Sequence, residues 1–286
     1  MSWFVLSLGA AVTQATQFAL VKGRARAIPP MVIAVWTQGT AFAVWLVYFA
    51  VSGHPFAVTR AAWLAIAASA VLAMGMTALL ARASARGDIS IVGPIFALSP
   101  IFTVLPDAVL SGTLPSPLGW VGLGLAVAGT VSLSGGGAGT LRALFARSDV
   151  LDALGAAVLL GFLAAIDRWG ALALGPPSYL VCSHGAATAV AGAVAAATAP
   201  REVVVTVTAR NVLTLVGHGL LGVTGTGLQT TALTTAPAAY VNAIRRMSAV
   251  IAVVLGGTVF RESDVGRRLT AAVLACAGAA LLLLAR

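Results

Sequence analysis

The sequence predicts an all-α membrane protein of about ten transmembrane helices, arranged as two inverted five-helix repeats. Three observations predict it. Of 286 residues, 59% are hydrophobic and only 9% charged, against about 25% charged in a soluble domain, so the chain cannot clothe a water-facing surface. Apolar runs of about 17–23 residues, the length that crosses a hydrocarbon core, recur from end to end. Segments of the first half also return in the second: LGAAV at 8–12 reappears at 154–158, and LAVAGTVSL at 125–133 aligns with LACAGAALL at 274–282.

Span 1 is expected at 2–21. No positive charge precedes its apolar run and no small-x-small cleavage site closes it, so it reads as a retained span rather than a signal peptide. Spans 2 and 3 follow at 30–52 and 61–80. Span 4, at 89–110, carries Pro94, Pro100 and Pro106; each removes a backbone donor and tends to kink the helix. SGTLPSP at 111–117 turns the chain into span 5 at 118–134, whose GLGLAVAG allows close helix approach. GGGAGTLRALFARSD at 135–149 is the longest polar gap, a flexible joint whose glycines are too irregular for a phosphate loop. It divides a first unit, 1–134, from a second, 150–286. Spans 6 to 10 are expected at 150–172, 178–199, 211–233, 238–260 and 267–285. Five spans followed by five similar ones force the second repeat to insert upside down. Such repeats put a substrate site at their interface near mid-membrane.

The net charge of +9 does not point to nucleic acid, because the basic residues fall in short gaps between apolar runs. Twelve of them, Lys22, Arg24, Arg26, Arg82, Arg86, Arg142, Arg147, Arg201, Arg210, Arg261, Arg267 and Arg268, follow the odd-numbered spans, whereas Arg60 and Arg286 mark the opposite face. Loops rich in Lys and Arg stay in the cytoplasm, which predicts both termini outside. Cys182 and Cys276 lie inside apolar runs and read as packing residues. The three histidines show no metal spacing, no GxxxxGK[ST] occurs, and neither a cofactor nor direct drive by ATP is expected.

The last two helices of each half carry a resemblance. ARASARGDISIVGPIFALSPIFTVLPDAVLSGTLPSPLGWVGLGLAVAGTVSL in the first and MSAVIAVVLGGTVFRESDVGRRLTAAVLACAGAALLLL in the second resemble the paired helix 4–helix 5 units of EamA-type members of the drug/metabolite transporter superfamily. Ser99-Pro100 falls at the family's Ser/Glu-Pro position and Glu262 at its Gly-Glu position. Thr113 stands where the first repeat usually has Glu, and Ala249 where the second usually has Pro. The resemblance implies a ten-helix fold and a transporter role. It also implies cytoplasmic termini, opposite to the charge bias, which is the expectation kept here. The expected location is the bacterial inner (cytoplasmic) membrane.

The candidate site starts from Arg245 and Arg246, about 12–14 Å into span 9 at 1.5 Å per residue. A charged side chain at the bilayer centre is costly and usually functional, and a guanidinium fork matches carboxylate or phosphate bidentately. Neighbouring helix positions differ by about 100°, so one arginine is expected to face the cavity and the other a neighbouring helix, unless both snorkel to the interface. Asn242 and Ser248 stack with the pair at helical spacing. Asp167, Arg168 and Asp107 lie at similar depth, giving three arginines against two aspartates. Asp167 reads as the partner of Arg168 or Arg245, or as a coupling proton site, and Asp107 as a helix-end group. Gln14 and Gln17 share a face of span 1, His218 and Gln229 share a face of span 8, and Ser99 completes the set. Each lines the cavity or hydrogen-bonds between helices. Trp36 and Gln38 are weaker candidates of the same type, His184 and His218 each read as a hydrogen-bonded packing residue or a proton relay, and Tyr240 reads as an interfacial anchor or a gate.

The function expected is secondary transport or facilitated passage of a small organic metabolite bearing a carboxylate or phosphate, an amino acid or organic anion. Alternating access between the repeats would carry it. The alternative is a flippase or carrier for a phosphate-headed lipid. An intramembrane enzyme is a lesser one, since no paired carboxylates, metal triad or Ser-His-Asp grouping comes together. The partners expected are the small-molecule substrate and the lipid bilayer, with no nucleic acid, and the chain as monomer or homodimer.

Overall fold

Apolar periodicity and the turn residues place nine helices among the described residues of the computed structural model, which describes residues 2–20, 28, 30–53, 59–86, 95–112, 114–132, 147–198, 209–248, 250–251, 273–274, 277–282 and 284–285. They are α1 (Ser2–Leu20), α2 (Pro30–Ser52), α3 (Arg60–Arg86), α4 (Ser99–Ser111), α5 (Pro117–Ser132), α6 (Ser148–Leu174), α7 (Pro176–Thr198), α8 (Ala209–Leu233) and α9 (Ala238–Arg246). No strand occurs among the described residues. Residues 277–282 are helical and belong to the expected tenth span. Outside the described residues lie 252–260, the joint at 135–146, Pro94, Thr113, Ala249, Glu262, His54 and Cys276. The same holds for Arg286 and the loop cations Lys22, Arg24, Arg26, Arg142, Arg201, Arg261, Arg267 and Arg268.

Four helices, at Met31–Ser52, Ala62–Leu80, Ser148–Leu174 and Pro176–Thr198, are long and apolar enough to cross a membrane. Their outward faces carry Val47, Val51, Trp63, Leu64 and Val71, all more than half exposed. Such a surface belongs in lipid rather than water. The chain is an all-α membrane protein.

The helices pair as α1 with α8, α3 with α6, α2 with α7, α4 with α6 and α9, α1 with α9, α2 with α8, and α3 with α7. Glycines bring several of these pairs together. Gly9 of α1 lies against Leu228 of α8, while Gly155 of α6 lies against Leu79 of α3, each so close that a Cβ would stand 3.0 Å from the leucine. α5 meets the last helical segment backbone to backbone, through Gly122 and Ala126 against Gly278. At one end of the α3–α6 pair, Arg82 and Arg86 reach Asp152 at 3.3 and 3.6 Å, and Arg147 closes on Asp149 at 2.7 Å. α9 sits in the largest apolar core, among Trp3, Val104, Leu123 and Leu282.

Two expected spans are interrupted. Span 4 is not one helix from 89 to 110 among its described residues. The chain turns at Ala97–Leu98, with Leu98 N–H to Ile95 O and Ile101 N–H to Leu98 O, before α4 restarts at Ser99-Pro100. Pro100 supplies no N–H to a preceding turn, and as a first-turn residue it costs nothing there. Span 9 breaks in the same way: α9 ends at Arg246, and Met247 N–H closes a tight bond to Ile244 O at 3.0 Å. Residues 248, 250 and 251 are helical again.

Candidate functional site

Seven helices surround a cavity of about 210 Å³. Gln14 enters it from α1, Gln38 from α2, Ser69 and Met76 from α3, Asp167 from α6, Tyr179 and His184 from α7, Thr226 and Gln229 from α8, and Arg245 and Arg246 from α9. Phe96 lines it just ahead of the α4 break.

The arginines occupy the last turn of α9. A helix C-terminus carries partial negative charge on its unpaired carbonyls and favours cations there. The interruption after Arg246 therefore supplies some of the stabilisation that two charges in a span require. The expectation that the arginines part company is corrected: both line the cavity. Their long stems converge on one neutral acceptor. Arg245 Nε donates to Gln14 Oε1 at 3.2 Å, Arg246 Nη2 donates to the same oxygen at 3.5 Å, and Ser248 Oγ donates at 3.4 Å. The Arg246 guanidinium also rests over the Phe96 ring, 5.2 Å from its centroid, a cation–π arrangement. Its Nε is buried with no acceptor. Among the described residues neither guanidinium closes an ion pair.

Asp167 stands on the far wall. Its Oδ1 accepts from Ser69 Oγ at 2.8 Å and from Tyr179 Oη at 2.6 Å. The expected Asp167–Arg168 pairing does not occur. Arg168 turns away and donates from Nη1 to Asp107 Oδ1 at 2.8 Å, with both side chains buried. Asp107 is nonetheless a helix-end group, since its Oδ2 accepts the N–H of Ala238, the first residue of α9, at 2.7 Å. Of the three arginines and two aspartates, one of each is thus locked outside the cavity. Arg245, Arg246 and Asp167 are left inside, and the surplus of one positive charge persists.

The other candidates divide. Gln14 and Gln229 line the cavity, and Ser248 touches it through Gln14. Asn242 and Ser99 do not. The Asn242 amide donates to Thr103 Oγ1 at 2.9 Å and to Ser99 Oγ at 3.4 Å, tying α9 to α4. Gln17 and His218 form a separate cross-link, with Gln17 Nε2 to His218 O at 3.0 Å and His218 Nδ1 beside Thr37 Oγ1 at 2.9 Å. Trp36 packs on Val32 and Leu215. Tyr240 is 3% exposed, and its Oη accepts from Ser116 N–H at 3.2 Å; it is a core residue. His184 is in the site, with Nδ1 2.6 Å from Gln38 Oε1 and Nε2 3.3 Å from Thr226 Oγ1.

Sequence reading missed Ser69, Tyr179, Thr226 and Phe96. Ser69 comes to Asp167 through the packing of α3 on α6, which also sets Leu79 on Gly155 and Gly75 on Leu159, a register the sequence does not state. For Tyr179 a signal exists. Tyr179 opens α7 directly after the Gly175 turn, where φ is +76°, so the α6–α7 hairpin folds it back on Asp167. Phe96 and Thr226 carry no comparable mark.

Comparison with known proteins agrees with this architecture. A crystal structure described as "Crystal structure of protein" superposes with a TM-score of 0.80 over 100% of this chain and 98% of that one, at 19% sequence identity; that likeness establishes a shared fold. No curated protein matches the chain. Residues 1–135 match the model of the EamA-like transporter family. The first half of the chain is thus similar to the EamA-like transporter family of the drug/metabolite transporter superfamily, and its apolar helices make it a multi-pass membrane protein.

Proposed function

We propose that the chain is a secondary transporter or facilitator of a small organic metabolite bearing a carboxylate or phosphate, an amino acid or organic anion. It moves that substrate by alternating access between two inverted five-helix repeats, 1–134 and 150–286, and does no chemistry on it. The observation that carries the reading is the pair Arg245 and Arg246. Both line one cavity, share a single neutral oxygen, and have no ion-pair partner among the described residues.

Support for the repeats comes from the helix pairings, which map onto themselves when each helix is exchanged for the one five places on. α1–α8 becomes α6–α3, α4–α6 becomes α9–α1, and α2–α8 becomes α7–α3. The Gly9–Leu228 and Gly155–Leu79 contacts exchange in the same way. The breaks at Leu98 and Met247 precede the Ser99-Pro100 and Ser248-Ala249 positions that align between halves. Interrupted helices at the repeat interface are where such transporters bind substrate. The ring of helices around the cavity favours a compact solute over a lipid. The charge bias places the termini outside the bacterial inner membrane.

The test is a thermal-shift screen of the purified protein against amino acids, mono- and dicarboxylates and phosphorylated metabolites, repeated with Arg245→Gln and Arg246→Gln. A charge-assisted hydrogen bond contributes about 1.5–3 kcal/mol, so each substitution should weaken an anionic hit roughly 10- to 150-fold. Unchanged affinity for every anionic and zwitterionic hit in both variants would refute the reading.

A further inference from the structure

Asp167 is held by only one of its two oxygens. Ser69 and Tyr179 both donate to Oδ1, and among the described residues Oδ2 has no partner although the side chain lines the cavity. The groups facing it can be named element by element. α3 offers the Ser69 hydroxyl, and α7 offers Tyr179 and, further along, His184 between Gln38 and Thr226. α9 offers Arg245 and Arg246, which line the same cavity. α4 and α6 offer Asp107 and Arg168, closed on each other. α1 and α8 line the cavity with the neutral Gln14, Thr226, Gln229 and Thr230. The acid and bases that line the cavity are therefore one carboxyl and two guanidiniums, which sum to +1 when all three are ionised.

Charge is expensive in a low-dielectric interior, so an occupied cavity is most stable when that sum returns to zero. Resting on the anion reading above, we propose that Asp167 sets the charge the cavity accepts. A monoanion enters as it stands, whereas a dianion enters only with one proton, which the Asp167 carboxylate receives. The balance is simple. A proton from bulk water adds to Oδ2, Oδ1 keeps its two donors, no other bond changes, and the proton leaves when the dianion leaves. The new O–H on Oδ2 is free to donate to the second anionic group of the ligand. Asp167 is in this sense a specificity residue, and dianion transport is proton-coupled through it.

The test uses the full chain in lipid nanodiscs, with succinate and its uncharged-end analogue succinamate as probes of nearly equal shape. Calorimetry near neutral pH in two buffers of different ionisation heat counts the protons taken up. Wild-type protein should take up about one proton per succinate and none per succinamate. Asp167→Asn preserves the acceptor for Ser69 and Tyr179 but fixes the cavity sum at +2. It should bind succinate with no proton uptake, and its preference for succinate over succinamate should rise about tenfold or more.

Equal proton counts for the two probes in wild type overturn the proposal, as does uptake that survives in Asp167→Asn, which would point to His184. Binding that ignores Arg245→Gln and Arg246→Gln sinks the anion reading itself, whereas binding that needs the arginines with a proton count indifferent to Asp167 sinks only this inference. If neither probe binds, isotope-edited infrared spectroscopy of the Asp167 carboxyl decides. A band that responds to loss of both guanidiniums sustains the charge coupling, and an unchanged band overturns it.

Discussion

Removing the Asp107 charge should destabilise the protein severely while leaving the cavity lined by Arg245 and Arg246 intact. Asp107 and Arg168 tie together four helices. Asp107 Oδ1 takes Arg168 Nη1 at 2.8 Å and Oδ2 takes Ala238 N–H at 2.7 Å, while Arg168 Nε donates to Leu233 O at 3.1 Å. Leu233 ends α8 and Ala238 begins α9. The carboxylate thus caps a helix N-terminus and the guanidinium a C-terminus, each meeting the favourable end of the dipole and a backbone group that the helix leaves open. With the side chains 2% and 10% exposed, water cannot replace either partner. Asp107→Asn keeps the shape but strips the counter-charge from Arg168, at a cost of about 3–5 kcal/mol. Asp107→Ala also orphans the Ala238 N–H, adding about 1–3 kcal/mol. The pair Asp107→Leu with Arg168→Met leaves no buried charge behind and should recover much of the loss. The assay is thermal or denaturant unfolding of the purified protein, alongside ligand affinity normalised to folded material, which should stay within about twofold because the pair lies outside the cavity. An Asp107→Asn protein that melts with wild type, or a double variant whose losses simply add, would refute the reasoning.

Three further outcomes are expected. Gly161→Ala places a Cβ 2.7 Å from the Phe102 carbonyl carbon, so α4 and α6 must part, at about 1–3 kcal/mol of stability, read by unfolding. Asn242→Ala removes the donor to Thr103 Oγ1 and should cost about 1–3 kcal/mol with no change in ligand affinity, because Asn242 does not reach the cavity. A cysteine at Lys22 should react with an impermeant thiol reagent only from the cytoplasmic side; labelling from outside instead reverses the orientation proposed from charge bias.

The helices were legible because a bilayer imposes one length and one composition on every span. α2 is expected at 30–52 and found at Pro30–Ser52, and α8 is expected at 211–233 and found at Ala209–Leu233. The interruptions were less legible. Pro100 marks the α4 break, but nothing in AIRRMSAV marks the one after Arg246, since Met247 and Ser248 are tolerated inside a helix. In the site, charge was readable and partnership was not. Arg245, Arg246 and Asp167 stand out as ions in apolar runs. Whether Asp167 meets Arg168 or Ser69 depends on which face of α6 packs on α3 and which on α4, a matter of interhelical register that a single sequence does not state. His218 and Gln229 show the same limit: they share a helix face, yet they lie eleven residues apart, and only Gln229 is deep enough to reach the cavity.

The two arginines of span 9 are kept by a division of labour around them. The break after Arg246 turns mid-helix positions into a helix end, where carbonyl dipoles favour cations. Gln14 offers one oxygen to both guanidiniums, and Phe96 offers a ring face to Arg246. These neutral groups hold the pair in place without cancelling its charge. A carboxylate at the position of Gln14 would close a salt bridge and leave nothing for a ligand to do, whereas an amide positions the guanidiniums and leaves their charge to be answered. Asp167 answers part of it from across the cavity, beyond ion-pair distance of either guanidinium. A span that only needed anchoring would have tied each arginine to its own acid, as Arg168 is tied to Asp107. The contrast between that closed pair and the open one beside it is the physical ground for reading the cavity as a place where an anion arrives and leaves.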